Sequence, residues 1–367
     1  MYAIAMIMVV SVHAAGGGVS LLSDWFPYGG ICLCIFMFSS GYFYKRSSED
    51  HLLKYIWKKT RTLMIPLYIY SIVYALFIQL TRLKGFTIGG GMNLKSVFIA
   101  PLIDGHQFGY PLGGWYVTPL FMVEVFSILV HKLLHKIKKD MPEGVFLVLS
   151  IILGIAGNEL ACFGYLDGWW LCLVRMLYFV PFYALGIFYK SNLEKYDKKI
   201  PTFWYLTCVF ALKFITSFCF GKVLNYKPSW CDNFTEGPIM PIVIGVLGIA
   251  LWLRIATVME PVIGKSKWLN LVADNTYSIM MNHFLGFMCL KTVFALFNKF
   301  TTFCSDFDWG SYKSNLFWFY QPRGLNCTLI LYVVVGIVFS IIVQKEIDRI
   351  KAFGKSVIGK IVSKKKA

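Results

Sequence analysis

A chain of 367 residues that is 57% hydrophobic and only 15% charged lies far outside the balance of a soluble domain and belongs in a bilayer. Its formal net charge of +17 would point to nucleic acid in a soluble protein. Here the basic residues fall in short loops between apolar segments with no nucleic-acid module pattern around them, so orientation on an anionic membrane accounts for the charge and no nucleic-acid partner is expected.

Ten apolar runs follow in order, at about 2–20, 26–44, 62–80, 115–131, 145–163, 169–189, 201–219, 238–256, 272–297 and 327–344, each near the length of a spanning helix. The predicted fold class is therefore all-α, a polytopic integral membrane protein of about ten transmembrane helices, with residues 1–345 as one domain. Most of the 36 basic residues lie in alternate connectors. Lys45, Arg46, Lys54, Lys58, Lys59 and Arg61 follow the second run, Lys132 to Lys139 the fourth, Lys190 to Lys199 the sixth, and Arg254, Lys265 and Lys267 the eighth. The positive-inside rule then puts both termini in the cytoplasm. The first run has small residues after its apolar core but no basic segment before it, so it is expected to be a retained span rather than a cleaved signal. Residues 346–367 place Ile347, Ile350, Phe353, Val357 and Ile361 at helical spacing between lysines, the pattern of a basic amphipathic cytoplasmic tail. No internal repeat of the kind transporters carry is apparent.

Six polar residues lie inside the runs: His13, Glu124, Arg175, Lys213, His283 and Lys291. Each costs about 2.5–3.5 kcal/mol if it faces lipid at mid-depth. Lys213 and Lys291 can snorkel to an interface and Glu124 can pair with Arg175, which would make all four structural. The two histidines lie near the middle of their runs, where neither reaches an interface, so they are expected in a polar cavity. Ten cysteines show no metal-ligand spacing; Cys32, Cys34, Cys162, Cys172, Cys208, Cys219 and Cys289 read as small buried hydrophobes, and a Cys231–Cys304 disulfide is left open. His135 and Asp140 share the His-x4-Asp spacing of glycerolipid acyltransferases but sit in a basic loop where it arises by chance. Gly16–Gly18 and Gly89–Gly91 read as flexible turns. Asp274 and Asn275 serve either as helix caps or as a polar cavity wall.

Four ordered stretches carry a family resemblance. FMFSSGYFYK after the first histidine, KKTRTLMIPLY at residues 58–68, PLGGWYVTPLF at 111–121 and ADNTYSIMMNHF at 273–284 resemble signatures of the type 3 membrane acyltransferases, the integral-membrane O-acyltransferases that decorate bacterial surface sugars. The last stretch is most similar to the fucose O-acetylase group. The resemblance implies transfer of an acetyl group from acetyl-CoA to a sugar or glycan hydroxyl, in the inner (plasma) membrane of a bacterial cell, among membrane lipids and with a homo-oligomer left open. Such chemistry needs a base for the hydroxyl proton and a donor for the oxyanion. By the resemblance His13 is the base. Arg175 or His283 steadies the acyl oxygen, Glu124 completes the catalytic set, and Lys58, Lys59 and Arg61 receive the phosphates of coenzyme A. Ser40, Tyr42, Trp115 and Asn275 are the expected acceptor contacts.

The chain departs from the family pattern at Tyr2, where the family carries Arg or Lys eleven residues before the first histidine. Either the reading frame begins further upstream, or donor handling is altered, or the protein is an inactive scaffold of a polysaccharide assembly complex. A multi-span transporter or flippase of a small solute or lipid-linked oligosaccharide is the other class the composition allows.

Overall fold

The computed structural model describes residues 1–14 and 21–364, with the side chains of residue 355 and of residues 357–364 left aside. The described residues form helices and no strand. All ten apolar runs become helices, as their composition requires in a medium that cannot satisfy backbone groups. Among the described residues eight of them are long and apolar enough to cross a membrane, and the other two, Tyr2–His13 and Tyr28–Tyr42, are shorter apolar helices. We label them with their neighbours: α1 (Tyr2–His13), α2 (Tyr28–Tyr42), α3 (Arg46–Arg82), α4 (Leu112–Ile137), α5 (Glu143–Cys162), α6 (Trp169–Asp197), α7 (Thr202–Phe220), α8 (Met240–Ile263), α9 (Lys267–Asp274), α10 (Thr276–Phe300) and α11 (Cys327–Gly354). The two short ones, α1 with 12 residues and α2 with 15, are sheathed by longer helices: α1 packs on α2 and α10, and α2 on α6 and α8. Burial inside the bundle relieves them of the need to match the bilayer.

Helix α6 is at the centre. It packs on α5 and on α2, and at α2 a Cβ on Gly41 would come within 2.0 Å of the Tyr183 carbonyl oxygen and one on Gly186 within 2.1 Å of that of Phe38. Reciprocal glycines let the two backbones touch, the usual solution where lipid offers no hydrophobic drive between helices. This contact is the physical content of the Ser-Gly-Tyr motif. At the other extreme α7 presents Phe203, Trp204, Leu212, Phe214 and Phe218 to the surface, as a lipid-facing helix does.

The chain has a basic end and an opposite end. At the basic end Arg46 donates to the Lys139 carbonyl, Tyr42 to Glu194 at 3.1 Å, and Arg254 to Asp197 at 2.9 Å, gathering the connectors after α2, α4, α6 and α8. The final helix continues past its span without a break to Lys364, with Ile350 and Phe353 exposed. Val357, Ile361 and Gly16–Gly18, which also entered the sequence reading, lie outside the described side chains and residues.

At the opposite end, the cations inside the helices hold the connectors from below. Arg175 donates to the carbonyls of Ser229, Ile103 (3.0 Å) and Asp104 (3.2 Å); Lys291 to Leu316 (2.8 Å); Lys213 to Leu224 (3.5 Å). All three are buried. Neither lysine therefore reaches an open interface as the snorkelling alternative had it, and Arg175 does not pair with Glu124. Each cation ends on peptide dipoles of its own protein, which is the nearer polar partner.

Two further expectations change. Cys162, Cys208, Cys219 and Cys289 are exposed rather than buried, and Cys231 and Cys304 are free thiols; an apolar thiol on a lipid-facing helix has no need of a protein cover. Burial pushes the Cys231 thiol up to about 12, so it is inert near neutrality. Gly89 and Gly90 are not loose: Gly90 donates to the Gln107 carbonyl at 2.7 Å, and a Cβ on Gly89 would meet the Phe108 carbonyl at 2.8 Å.

Candidate active site

Helix α1 ends at His13 because the chain leaves the helix at Ala14, so the imidazole sits in the last turn rather than mid-run. It meets His283 of α10 across the bundle. Two close approaches fix that meeting. Gly113 and Gly114, from the PLGGW stretch, bring the start of α4 against Met280 and Met281, where a Cβ on Gly113 would lie 2.6 Å from the Met280 carbonyl oxygen. Asn282 then ties α10 to α3: it accepts from Tyr74 at 2.8 Å and donates to the Tyr70 hydroxyl at 3.0 Å. The Asn-His pair thus divides labour, the asparagine seating the helix and the histidine facing α1.

Nδ1 of His13 is 2.8 Å from Nε2 of His283, and Nδ1 of His283 is 2.7 Å from the Ile279 carbonyl oxygen. A carbonyl only accepts, so His283 carries its proton on Nδ1 and presents a lone pair at Nε2. Neutral His13 must then donate from Nδ1. Its own lone pair is left on Nε2. His13 is half-buried and lines a cavity of about 710 Å³, whereas His283 is fully buried behind it and does not line that space. The arrangement matches the logic of a catalytic imidazole whose tautomer is set by a buried partner.

The cavity runs along α1 from Tyr2 to His13, bounded also by Cys32, Phe36, Ser40, Thr62, Trp115, Tyr116, Thr276 and Tyr277, and at the opposite end by Asn225, Lys227 and Ser229. Eleven residues of helix separate Tyr2 and His13, a rise of about 16 Å. The wall at Thr62 and Leu63 is a π turn (Thr60–Met64) ahead of Pro66, whose missing N–H and bulky ring disfavour a regular helix there. Tyr277 donates to the Leu63 carbonyl at 3.0 Å.

A second cavity of about 470 Å³ opens at the basic end, lined by Lys45, Ser47, Ser48, His51, Lys54, Tyr55, Lys58, Lys59, Glu124 and Tyr183. Tyr2 and Ser40 line both spaces. Their hydroxyls are 3.5 Å apart. Glu124 accepts from Lys59 at 2.6 Å through one oxygen, and its other oxygen is buried without a partner.

Of the residues expected from sequence, His13, Ser40 and Trp115 line the long cavity, and Ser40, Lys58, Lys59 and Glu124 the basic one. Arg175 stands behind the wall, its guanidinium 4.7 Å from the Trp115 ring centre and its donors committed to carbonyls. Tyr42 bonds Glu194 at the basic end, Asn275 turns back to the Leu271 carbonyl at 2.8 Å, and Arg61 is exposed; none of these three lines either cavity. Sequence reasoning missed Lys45, Lys54 and His51, which are indistinguishable from topology signals until folded. It also missed His106, which stacks on Trp230 with ring centres 4.4 Å apart. Burial, then the Arg175 cation, hold the His106 imidazole down to about 3.

Residues 3–345 match the family described as an acyltransferase domain, nearly the whole chain. No curated protein and no solved structure matches. An all-helical bundle with a paired imidazole at the head of a long internal cavity fits that assignment, and the chain belongs to the acyltransferase 3 family of membrane acyltransferases.

Proposed function

We propose that the protein is an O-acetyltransferase that moves an acetyl group from acyl-CoA to a hydroxyl of a cell-surface or lipid-linked sugar. The observation that carries this reading is the junction of the two cavities at Tyr2 and Ser40, one of them lined by lysines and the other leading to the free Nε2 of His13. The basic end is assigned to the cytoplasm by its excess of lysine and arginine. Acyl-CoA would enter there, with its phosphates against Lys45, Lys54, Lys58 and Lys59 and its arm passing Tyr2 and Ser40 towards His13. The sugar would come from the mouth lined by Asn225, Lys227 and Ser229.

His13 Nε2 takes the hydroxyl proton as the sugar oxygen attacks the thioester carbonyl carbon. The tetrahedral adduct then collapses with loss of the C–S bond, and the proton passes from His13 to the departing thiolate. While it is charged, the His13 imidazolium is steadied through Nδ1 by His283. With Arg175 committed to backbone carbonyls, the oxyanion role falls to a cavity-lining donor, Asn225 or Lys227. Labelled acetyl-CoA added to membranes holding the protein should place base-labile label in the glycan fraction, and membranes without it should not. Equal labelling in both, with lost glycan export instead, would replace this reading with transport.

A further inference from the structure

His131 and His135 lie four residues apart in the last turns of α4, on one face of the helix. Two carboxylates face them. Glu49, in the first turn of α3, brings Oε2 to 2.8 Å from His135 Nδ1, and Glu143, the first residue of α5, brings Oε2 to 3.6 Å from His131 Nδ1. Glu49, His131 and His135 each offer one ligand atom, and these atoms lie within 4.8 Å of one another. Nothing in the acyl-transfer site uses this cluster.

Two observations separate it from an ordinary surface ion-pair group. First, Glu49 and His131 are only 7% and 1% exposed. Second, His131 Nε2 is buried with no hydrogen-bond partner, an imidazole nitrogen held away from water at a cost that a ligand would remove. The surroundings are those of a supported site. Tyr44 donates to the other oxygen of Glu49 at 2.7 Å and its ring lies 5.0 Å from that of His131, with Phe146 at 4.2 Å on the same imidazole. The nearby cations are turned to backbone: Lys132 donates to the Glu49 carbonyl at 3.1 Å and Arg46 to that of Lys139.

We propose that Glu49, His131 through its unpartnered Nε2, and His135 form a binding site for a divalent transition metal, zinc first, with Glu143 at Nδ1 of His131 as the outer support of that imidazole. Two imidazoles and one carboxylate, with a water as fourth ligand, are a donor set zinc accepts in tetrahedral geometry. Bonds of about 2.0–2.1 Å put ligand atoms about 3.3–3.4 Å apart. The widest separation must therefore close by somewhat more than 1 Å, within the reach of side-chain rotation. Binding displaces the proton between His135 and Glu49 and leaves Tyr44 as the hydrogen-bond support of the carboxylate. The metal would clip the start of α3 to the α4–α5 turn. Lys45, just before α3, and Ser47, Ser48 and His51 in its first turns form one wall of the basic cavity, so the clip fixes that wall.

The test uses the full chain, free of any histidine tag, in detergent. After chelation it is reloaded with Zn²⁺ alone, dialysed, and its metal content measured beside its thermal midpoint; Co²⁺ replaces Zn²⁺ in a parallel sample read by visible absorption. The expected result is about one zinc per chain, a midpoint raised by Zn²⁺ and lowered again by chelator, and cobalt d–d bands of tetrahedral strength. His135→Asn and Glu49→Gln, checked for monodispersity, should each lose the metal and the midpoint shift. His135 is at the less buried edge of the cluster, so its variant tests the site even where a change at His131 prevents folding. Wild type retaining less than about a tenth of an equivalent, or variants retaining as much as wild type, would overturn the site.

Discussion

Replacing His283 by Phe removes the acceptor for His13 Nδ1–H while keeping a ring of similar shape beside Phe284 and Phe287. His283 does not line the cavity, so substrate contacts stay in place. Two things are lost: the bias that leaves the lone pair on Nε2, and one hydrogen bond to the imidazolium formed when His13 accepts a proton. A hydrogen bond to a charged group contributes about 1.5–3 kcal/mol, and 1.36 kcal/mol is tenfold in rate. The expected loss is therefore about 10- to 150-fold in kcat with KM for acyl-CoA nearly unchanged. Thioester cleavage dependent on glycan acceptor, measured with purified protein in nanodiscs, separates the two constants. Because His283 acts through His13, the double variant His13→Ala/His283→Phe should be no slower than His13→Ala alone. A His283→Phe enzyme within twofold of wild type, or losses that multiply in the double variant, would refute the relay.

Four other outcomes follow from the geometry. Alanine at Lys54 or Lys58 should raise KM for acyl-CoA several-fold, more at low ionic strength than at high, because these are solvent-exposed charges lining the basic cavity; saturation curves at two salt concentrations show it. Tyr2→Arg sets a cation in the throat near the unpaired Glu124 oxygen and should lower the same KM, whereas no change in donor saturation would mean that the throat is not the donor route. Gly41→Ala forces a methyl into the Tyr183 backbone and should cost about 1–3 kcal/mol by overpacking, read as a lowered thermal midpoint in detergent. His106 is neutral in the fold down to about pH 3 against an ordinary 6.5. Its contribution to stability is thus complete above pH 6.5 and is lost as pH falls from there towards 3. A His106→Gln variant should flatten the acid limb of the stability profile and leave its neutral region unchanged.

How much of this was legible in the sequence depends on the range of the interaction. Helix positions follow from composition and run length, and all ten runs became helices. The family motifs were visible as strings, but their reasons were not: Gly41 matters because of Tyr183, and Gly113 because of Met280. Depth in an apolar run marked His13 and His283 for a polar cavity; the two rings meet although 270 residues separate them, but His13 ends its helix and lines the long cavity while His283 is buried behind it. The same reasoning failed for Glu124 and Arg175, since an ion pair across helices is set by rotation about each axis, which periodicity in nearly uniform apolar segments does not report. Glu124 found Lys59, and Arg175 found carbonyls. His131 and Glu49 were passed over for a similar reason. A histidine near a helix end and a glutamate in a loop draw no notice until folding sets them side by side.

The central claim is that the free nitrogen of His13 removes the acceptor proton. The most direct test is acetyl transfer from labelled acetyl-CoA to membrane glycans by His13→Ala protein, with insertion and abundance matched to wild type. Loss of about 10²- to 10⁴-fold is predicted, the usual contribution of a positioned general base. Transfer at the wild-type rate would contradict it.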